Sequence, residues 1–228
     1  MIALKVSDGS EVWRWAEDAP SQGGSSLVGK IDGRQQLVVK AKQMIAGLDA
    51  RTGEELWRIP YKVTMDNTLG TPLVVGNLVM TSDPYKGVSA WHVHSRGDSW
   101  TVKQAWSNSR VYTATSSPVM VAGQLVGFGY TRKGELFGID SNSGELLWRG
   151  EPRWGDHASL LSWGDEVLVF REDGTLVLVK VSSQGYEIVR QYRVGESLMW
   201  AHPAIVGDRL LIRDGGRLVA YQLGETPR

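Results

Sequence analysis

Residues 47–58, GLDARTGEELWR, return almost letter for letter as residues 138–149, GIDSNSGELLWR. Both read Gly-x-Asp-x-x-(Thr/Ser)-Gly-Glu-x-Leu-Trp-Arg. An aspartate that ends a strand can accept hydrogen bonds from the amides of the turn that follows. This is the role expected of Asp49 and Asp140. Glycine supplies the positive φ that a tight hairpin or bulge needs, which places Gly53 and Gly144 in the turn. Trp57 and Trp148 then fall on the next strand, each with a large flat ring to bury.

Weaker copies extend the series. ALKVSDGSEVW ends at Trp13, AWHVHSRGDSWTVKQAW at Trp106 and LVKVSSQGYEIVRQY at Tyr192. From Trp13 to Trp57 is 44 residues, to Trp106 a further 49, to Trp148 a further 42 and to Tyr192 a further 44. A period in the forties built of strand-like units is the mark of a propeller blade. The interior of each unit agrees. After Gly70 come TPLVV, the turn signal Gly76-Asn77, then LVMTS, GVSAWHV and VKQAW. The units beginning at Ser117 and Ser159 repeat this grammar, and the unit from His202 supplies PAIV, RLLIR and RLVAYQL. No stretch holds a helical period over a useful length. The expected fold is therefore all-β, a β-propeller of four-stranded antiparallel blades with about five blades present. Trp13, Trp57, Trp106 and Trp148 are expected to dock each blade on its neighbour. Burying such a ring stabilises by roughly 2–3 kcal/mol.

Composition narrows the function. The chain has 228 residues, 42% of them hydrophobic, enough to bury a core. Lys plus Arg and Asp plus Glu number 25 each, a balance that argues against a nucleic-acid-binding face. Cysteine is absent, which removes disulfides, thiolate metal sites and cysteine nucleophiles. No apolar run approaches the roughly 20 residues that cross a bilayer. The opening MIALKVSDGSEVWRW lacks a basic segment followed by an apolar core, so it reads as part of a repeat rather than as a signal peptide.

The pattern Ala/Gly-x-Asp-x-x-Thr/Ser-Gly-x-x-x-Trp resembles the tryptophan-docking repeat of the PQQ-like (quinoprotein dehydrogenase-like) β-propellers. Within them it is most similar to the group that includes the outer-membrane assembly lipoprotein BamB. The resemblance is strong at 47–57 and 138–148, fair at 3–13 and weak at 90–106 and 178–192. It implies rings of seven or eight blades. Here IALKV and EVWRW supply a third and a fourth strand, while the last unit supplies a first, second and third. Residues 1–228 are thus expected to form a single propeller domain lacking N-terminal blades, with an open edge prone to self-association. The resemblance also implies an extracytoplasmic setting, periplasmic or in the cell envelope, and a non-catalytic scaffold that binds a protein partner. Two alternatives stay open: the remnant of a PQQ-dependent oxidoreductase, and the sensor propeller of a larger signalling protein.

Quinoprotein dehydrogenases use a vicinal cysteine pair, a stacking tryptophan, calcium-binding carboxylates and an aspartate base. This chain has no cysteine and no Asp-x-Asp-x-Asp-Gly loop, so neither PQQ nor calcium is expected and no catalytic residue is assigned. His92 and His94 in WHVH share a strand face at metal-binding spacing, but the favoured reading is a polar strand face in a degenerate repeat. His157 and His202 stand just before first strands, in WGDHAS and WAHP. The corresponding loops elsewhere are MDNTLGTP and YTATSSP. Connections of this kind gather around one mouth of a propeller. Asp66, Asn67, Tyr112, Thr115, Trp154, Asp156, His157, Trp200 and His202 are therefore the candidate surface for a peptide or small ligand. Gly-x-Ser-x-Gly and Walker-type loops are absent.

Overall fold

The computed structural model describes residues 1–19, 25–64 and 70–224. These residues form antiparallel sheets in two compact units. The first unit comprises Met1–Ser117 together with the turn Asn142–Glu145. It opens with a two-stranded sheet, β1 (Ile2–Leu4) and β2 (Glu11–Arg14). Two four-stranded sheets follow. One is β3 (Leu27–Ile31), β4 (Arg34–Lys40), β5 (Met44–Asp49) and β6 (Glu55–Pro60). The other is β7 (Leu73–Val75), β8 (Leu78–Asp83), β9 (Gly87–Arg96) and β10 (Ser99–Asn108).

The second unit comprises Pro118–Ser141 and Leu146–Arg228. Its first sheet is β11 (Val119–Val121), β12 (Gln124–Gly129), β13 (Glu135–Asp140) and β14 (Leu146–Arg149). Its second is β15 (Ala158–Trp163), β16 (Glu166–Arg171), β17 (Thr175–Ser182) and β18 (Gly185–Arg193). A three-stranded sheet, β19 (Ala204–Val206), β20 (Arg209–Asp214) and β21 (Arg217–Gln222), completes it. Strands pair up and down in chain order in every sheet, which makes each four-stranded sheet a propeller blade.

Alternation along the strands builds the cores. In β5, Ile45 enters one cluster with Val38, Trp57 and Trp91, while Ala46 and Leu48 enter another with Trp15 and Val39. The two faces of this sheet thus enter different cores, and a one-residue slip would exchange them. In the second unit, Val126, Leu136, Val177 and Val179 form one core, and Leu168, Leu176, Leu210 and Ile212 another.

A bulge recurs at one place in every pairing of a third with a fourth strand. It falls at Ala3/Leu4, Gly47/Leu48, Gln104/Trp106, Gly138/Ile139 and Leu178/Val179. The paired residue that flanks it on the fourth strand is Trp13, Trp57, Trp106, Trp148 or Arg190. The fifth position therefore differs from the sequence expectation. Arg190, not Tyr192, stands opposite Leu178. Trp57 and Trp148 lie directly over Gly47 and Gly138, where the fifth sheet has Leu178 instead of a glycine.

The docking tryptophans are seated in two ways. Trp13 lies on Gly53 (φ +75°) and its Nε1 donates to Ala50 O at 3.3 Å; Trp106 lies on Gly144 (φ +74°). Trp57 and Trp148 donate across their own sheets instead, to Gln36 Oε1 at 2.6 Å and Gln124 Oε1 at 2.8 Å. Their apolar neighbours come from long hairpins. Val102 and Trp100 of β10 pack on the cluster that holds Trp57, and Tyr186 of β18 lies 5.7 Å from the Trp148 ring. Asp49 accepts from the amides of Arg51 and Thr52 at 2.9 Å and from Arg34 Nε at 2.7 Å. Burial works against the Asp49 carboxylate, but Arg34 and the two amides outweigh it and hold the pKa at about 2. Asp140 ends β13, at the matching place.

Candidate functional site

The loops that lead into first strands are fastened by acidic residues at the ends of second strands. Asp83 accepts from the Thr64 amide at 3.0 Å and from its hydroxyl. Asp214 accepts from the Ser197 amide at 2.9 Å and its hydroxyl at 2.5 Å. The Ser197 hydroxyl is the largest influence on Asp214 and helps hold its pKa at about 2. Glu172, just past β16, does this for two loops at once. Its Oε1 accepts from Asp156 N at 2.7 Å, its amide donates to His157 O at 3.1 Å, and its carbonyl accepts from Met199 N at 2.8 Å.

This fastening assembles the candidate residues of the second unit. His157 is buried, and its ring stacks on Trp200 with centroids 4.9 Å apart and planes 10° apart. Trp200 is 53% exposed, and the neighbouring Leu198 is exposed as well. Burial lowers the His157 pKa, and the charge of His202 lowers it further. His202 is itself exposed, with Nδ1 3.0 Å from Pro203 O. Trp154 meets Tyr186 edge to face at 5.6 Å. Arg171 donates through Nε to Trp154 O at 2.9 Å, with its guanidinium 5.8 Å from that ring. Asp156 is exposed beside them. The result is a half-exposed indole, backed by an imidazole and rimmed by polar groups. It can stack on an apolar or aromatic group of a partner.

The remaining candidates lie elsewhere. Tyr112 and Thr115 belong to the first unit and are half-buried. The loop that carries them is tied down by the Thr113 amide, which donates to Ser82 Oγ at 2.8 Å. Asp66 and Asn67 lie outside the described residues. His92 and His94 stack with centroids 5.9 Å apart. His94 Nδ1, however, faces Asn77 Nδ2 at 2.9 Å and Asp32 at 3.6 Å.

Sequence reasoning missed one polar cluster in the first unit. Lys40 ends β4 almost fully buried, and Nζ donates to Ser82 O at 2.8 Å. Burial pulls its pKa down to about 8, with Asp83 opposing the shift and Lys86 adding to it. Among the described residues, the buried hydroxyls of Tyr61, Thr81 and Thr113 have no hydrogen-bond partner. The only signal was a lysine closing the apolar run LVVK.

Among the described residues, the donors that would hold a calcium-bound quinone do not come together. Cysteine is absent, and the buried aspartates Asp49, Asp83 and Asp214 are already engaged by amides and hydroxyls. Among the described residues, no three His, Asp or Glu side chains converge as a metal site would require. Nor is any described helix long and apolar enough to cross a membrane.

Comparison with known proteins bears on the whole chain. The family model described as outer membrane protein assembly factor BamB matches residues 1–223. Among solved structures, BamB from Moraxella catarrhalis superposes with a TM-score of 0.72 at 17% identity. The match covers 96% of this chain but 65% of that one, so the chain spans less than two thirds of that structure. At this identity the likeness shows the fold. No curated protein matches the chain.

Proposed function

The chain belongs to the family of the outer membrane protein assembly factor BamB, and from that premise we propose that it is a non-catalytic scaffold that binds a protein partner in the cell envelope. The family supports binding and envelope assembly at its own level, and an extracytoplasmic location goes with them. The observation that carries the reading onto this chain is the stacked and half-exposed Trp200. A large aromatic held in place before binding costs little entropy to use, and such residues dominate interface energies. Glu172 fixes the two loops that present it. The partner surface is then Trp200, Trp154, Asp156, His157 and His202. Self-association through the edge of β21, which no described strand pairs, belongs to the same reading.

A photo-crosslinking amino acid at position 200 tests the proposal in the envelope fraction of the source organism. A discrete adduct is expected from position 200 and none from position 163, an exposed tryptophan at the end of β15. Equal labelling from both positions, or none from position 200, would remove Trp200 from the partner surface. Once the partner is isolated, Trp200→Ala is expected to weaken its binding by about 2 kcal/mol.

A further inference from the structure

We propose that the groove between β14 and β18 binds an extended segment of a partner protein, which adds along the edge of β14 with an apolar side chain against Ile188 and a basic one at Glu151. This rests on the reading of the chain as a binding scaffold. It gives that scaffold a second contact, on the last strands of two sheets rather than on the loops around Trp200.

The groove has a volume of about 440 Å³, with Trp148, Arg149 and Glu151 on its β14 side and Tyr186 and Ile188 on its β18 side. That volume lies within the range of natural ligand sites. The β14 side is a strand edge. This strand ends its sheet, and no described strand lies beyond it. Gly150 N donates to Leu136 O at 2.7 Å. Alternation along an antiparallel strand then turns the N–H and C=O of Arg149 away from β13. The Glu151 amide, two residues on and turned the same way, donates to the Tyr186 hydroxyl. The edge thus already makes one hydrogen bond across the groove. An added strand meets Arg149 in the same manner.

The first unit covers the matching place with a side chain of its own. Between turn and bulge β10 has six paired residues, Ser99 to Gln104, whereas β18 has four, Gly185 to Ile188. The two extra residues bring in Trp100, which packs with Val102 on the cluster that holds Trp57. The shorter β18 carries no such residue. The position next to the bulge differs as well. It is Gln104 in β10 and Ile188 in β18, and Ile188 is 50% exposed. An apolar side chain from a partner does for Trp148 what Trp100 does for Trp57. Charge selects what accompanies it. Arg149 is committed to the buried Glu135, whereas no described cation pairs with the exposed Glu151. A lysine or arginine beside the apolar residue supplies that charge.

Fluorescence polarisation with a labelled octapeptide tests the proposal. The peptide alternates lysine with valine, and one central valine is replaced by tryptophan. The whole chain is expected to bind it at about 100 μM or tighter, and to bind the same peptide with glutamate for lysine about tenfold more weakly. Ile188→Glu should weaken binding of the lysine peptide by about tenfold or more, and Glu151→Lys should shift the preference toward the glutamate peptide. Both sites are exposed, so both variants should keep the parent near-ultraviolet circular dichroism and melting temperature. Methylating the peptide amides that face β14 should abolish binding, while methylating the alternate amides should not. Trp200→Ala should bind the peptide like the parent, which separates failure of the groove from failure of the loop surface. A lysine peptide that does not bind at about 1 mM would overturn the proposal. So would binding that neither variant alters, binding indifferent to which amides are methylated, or a photo-crosslinker at position 188 that joins two copies of this chain instead of the peptide.

Discussion

At Gly53 two demands coincide. Its φ of +75° strains any residue with a side chain, and a methyl group there would lie 2.6 Å from the ring carbons of Trp13. Gly33 has a φ of +79° but open space around it. Gly33→Ala should therefore cost about 1–2 kcal/mol, the strain alone. Gly53→Ala should cost a further 1–3 kcal/mol, roughly, for the overpacked indole. Equal losses in paired denaturant titrations would refute the docking role. Asp49 makes a pH-dependent contribution. Its folded pKa of about 2 lies below the ordinary 3.8. The stability it adds is therefore full above 3.8 and lost as pH falls toward 2. Asp49→Asn should be less stable at neutral pH and show a shallower loss on acidification. An unchanged acid slope in melts from pH 6 downward, roughly, would contradict this.

At the scale of the element, hairpin length decides how a tryptophan is seated. Strands β9 and β10 have ten residues each, whereas β14 has four. Where the next hairpin is short, its turn glycine receives the ring, as Gly53 and Gly144 do. Where the next hairpin is long, the ring settles over its own sheet and needs a glutamine for its N–H. Gln124→Leu would leave Trp148 Nε1 buried and unpaired, at a cost of about 1–3 kcal/mol. Replacing Trp148 by Phe in the same chain should recover part of that loss, which a thermal double-mutant cycle would show as coupling. No coupling would mean the bond contributes nothing. The sequence displays the tryptophans but hides this division. It depends on which turn lies next to each ring, and two of the four hairpins break the short pattern. The same blindness explains Tyr192, chosen by its aromatic ring although the register puts Arg190 opposite Leu178.

For the whole molecule, titration with PQQ and calcium should leave tryptophan fluorescence unchanged, because the buried carboxylates Asp83 and Asp214 are engaged in loop fastening. Saturable quenching would restore the oxidoreductase alternative. The blade architecture was legible because each blade must solve the same packing problem, and the chain writes the solution repeatedly. The candidate site was legible only as a set of loops. WGDHAS and WAHP carry no sign that His157 and Trp200 stack, since the two loops are held together by Glu172, which lies in neither stretch of sequence. Nor could Lys40 be told from a surface lysine, because its burial comes from the neighbouring sheet that supplies Ser82 and Asp83.

The recurring bulge has a consequence for engineering. It fixes each ring at the base of its hairpin, so the tip is relieved of any duty to set register, and the natural tips already range from two residues to six. A peptide tag or binding loop grafted between Gly97 and Asp98 should be carried without loss of thermal stability, because nothing lies within 4 Å of a side chain added at Gly97. The same graft between Gly53 and Glu54 should unseat Trp13 and lower the melting temperature. The two long hairpins are thus ready-made handles for display.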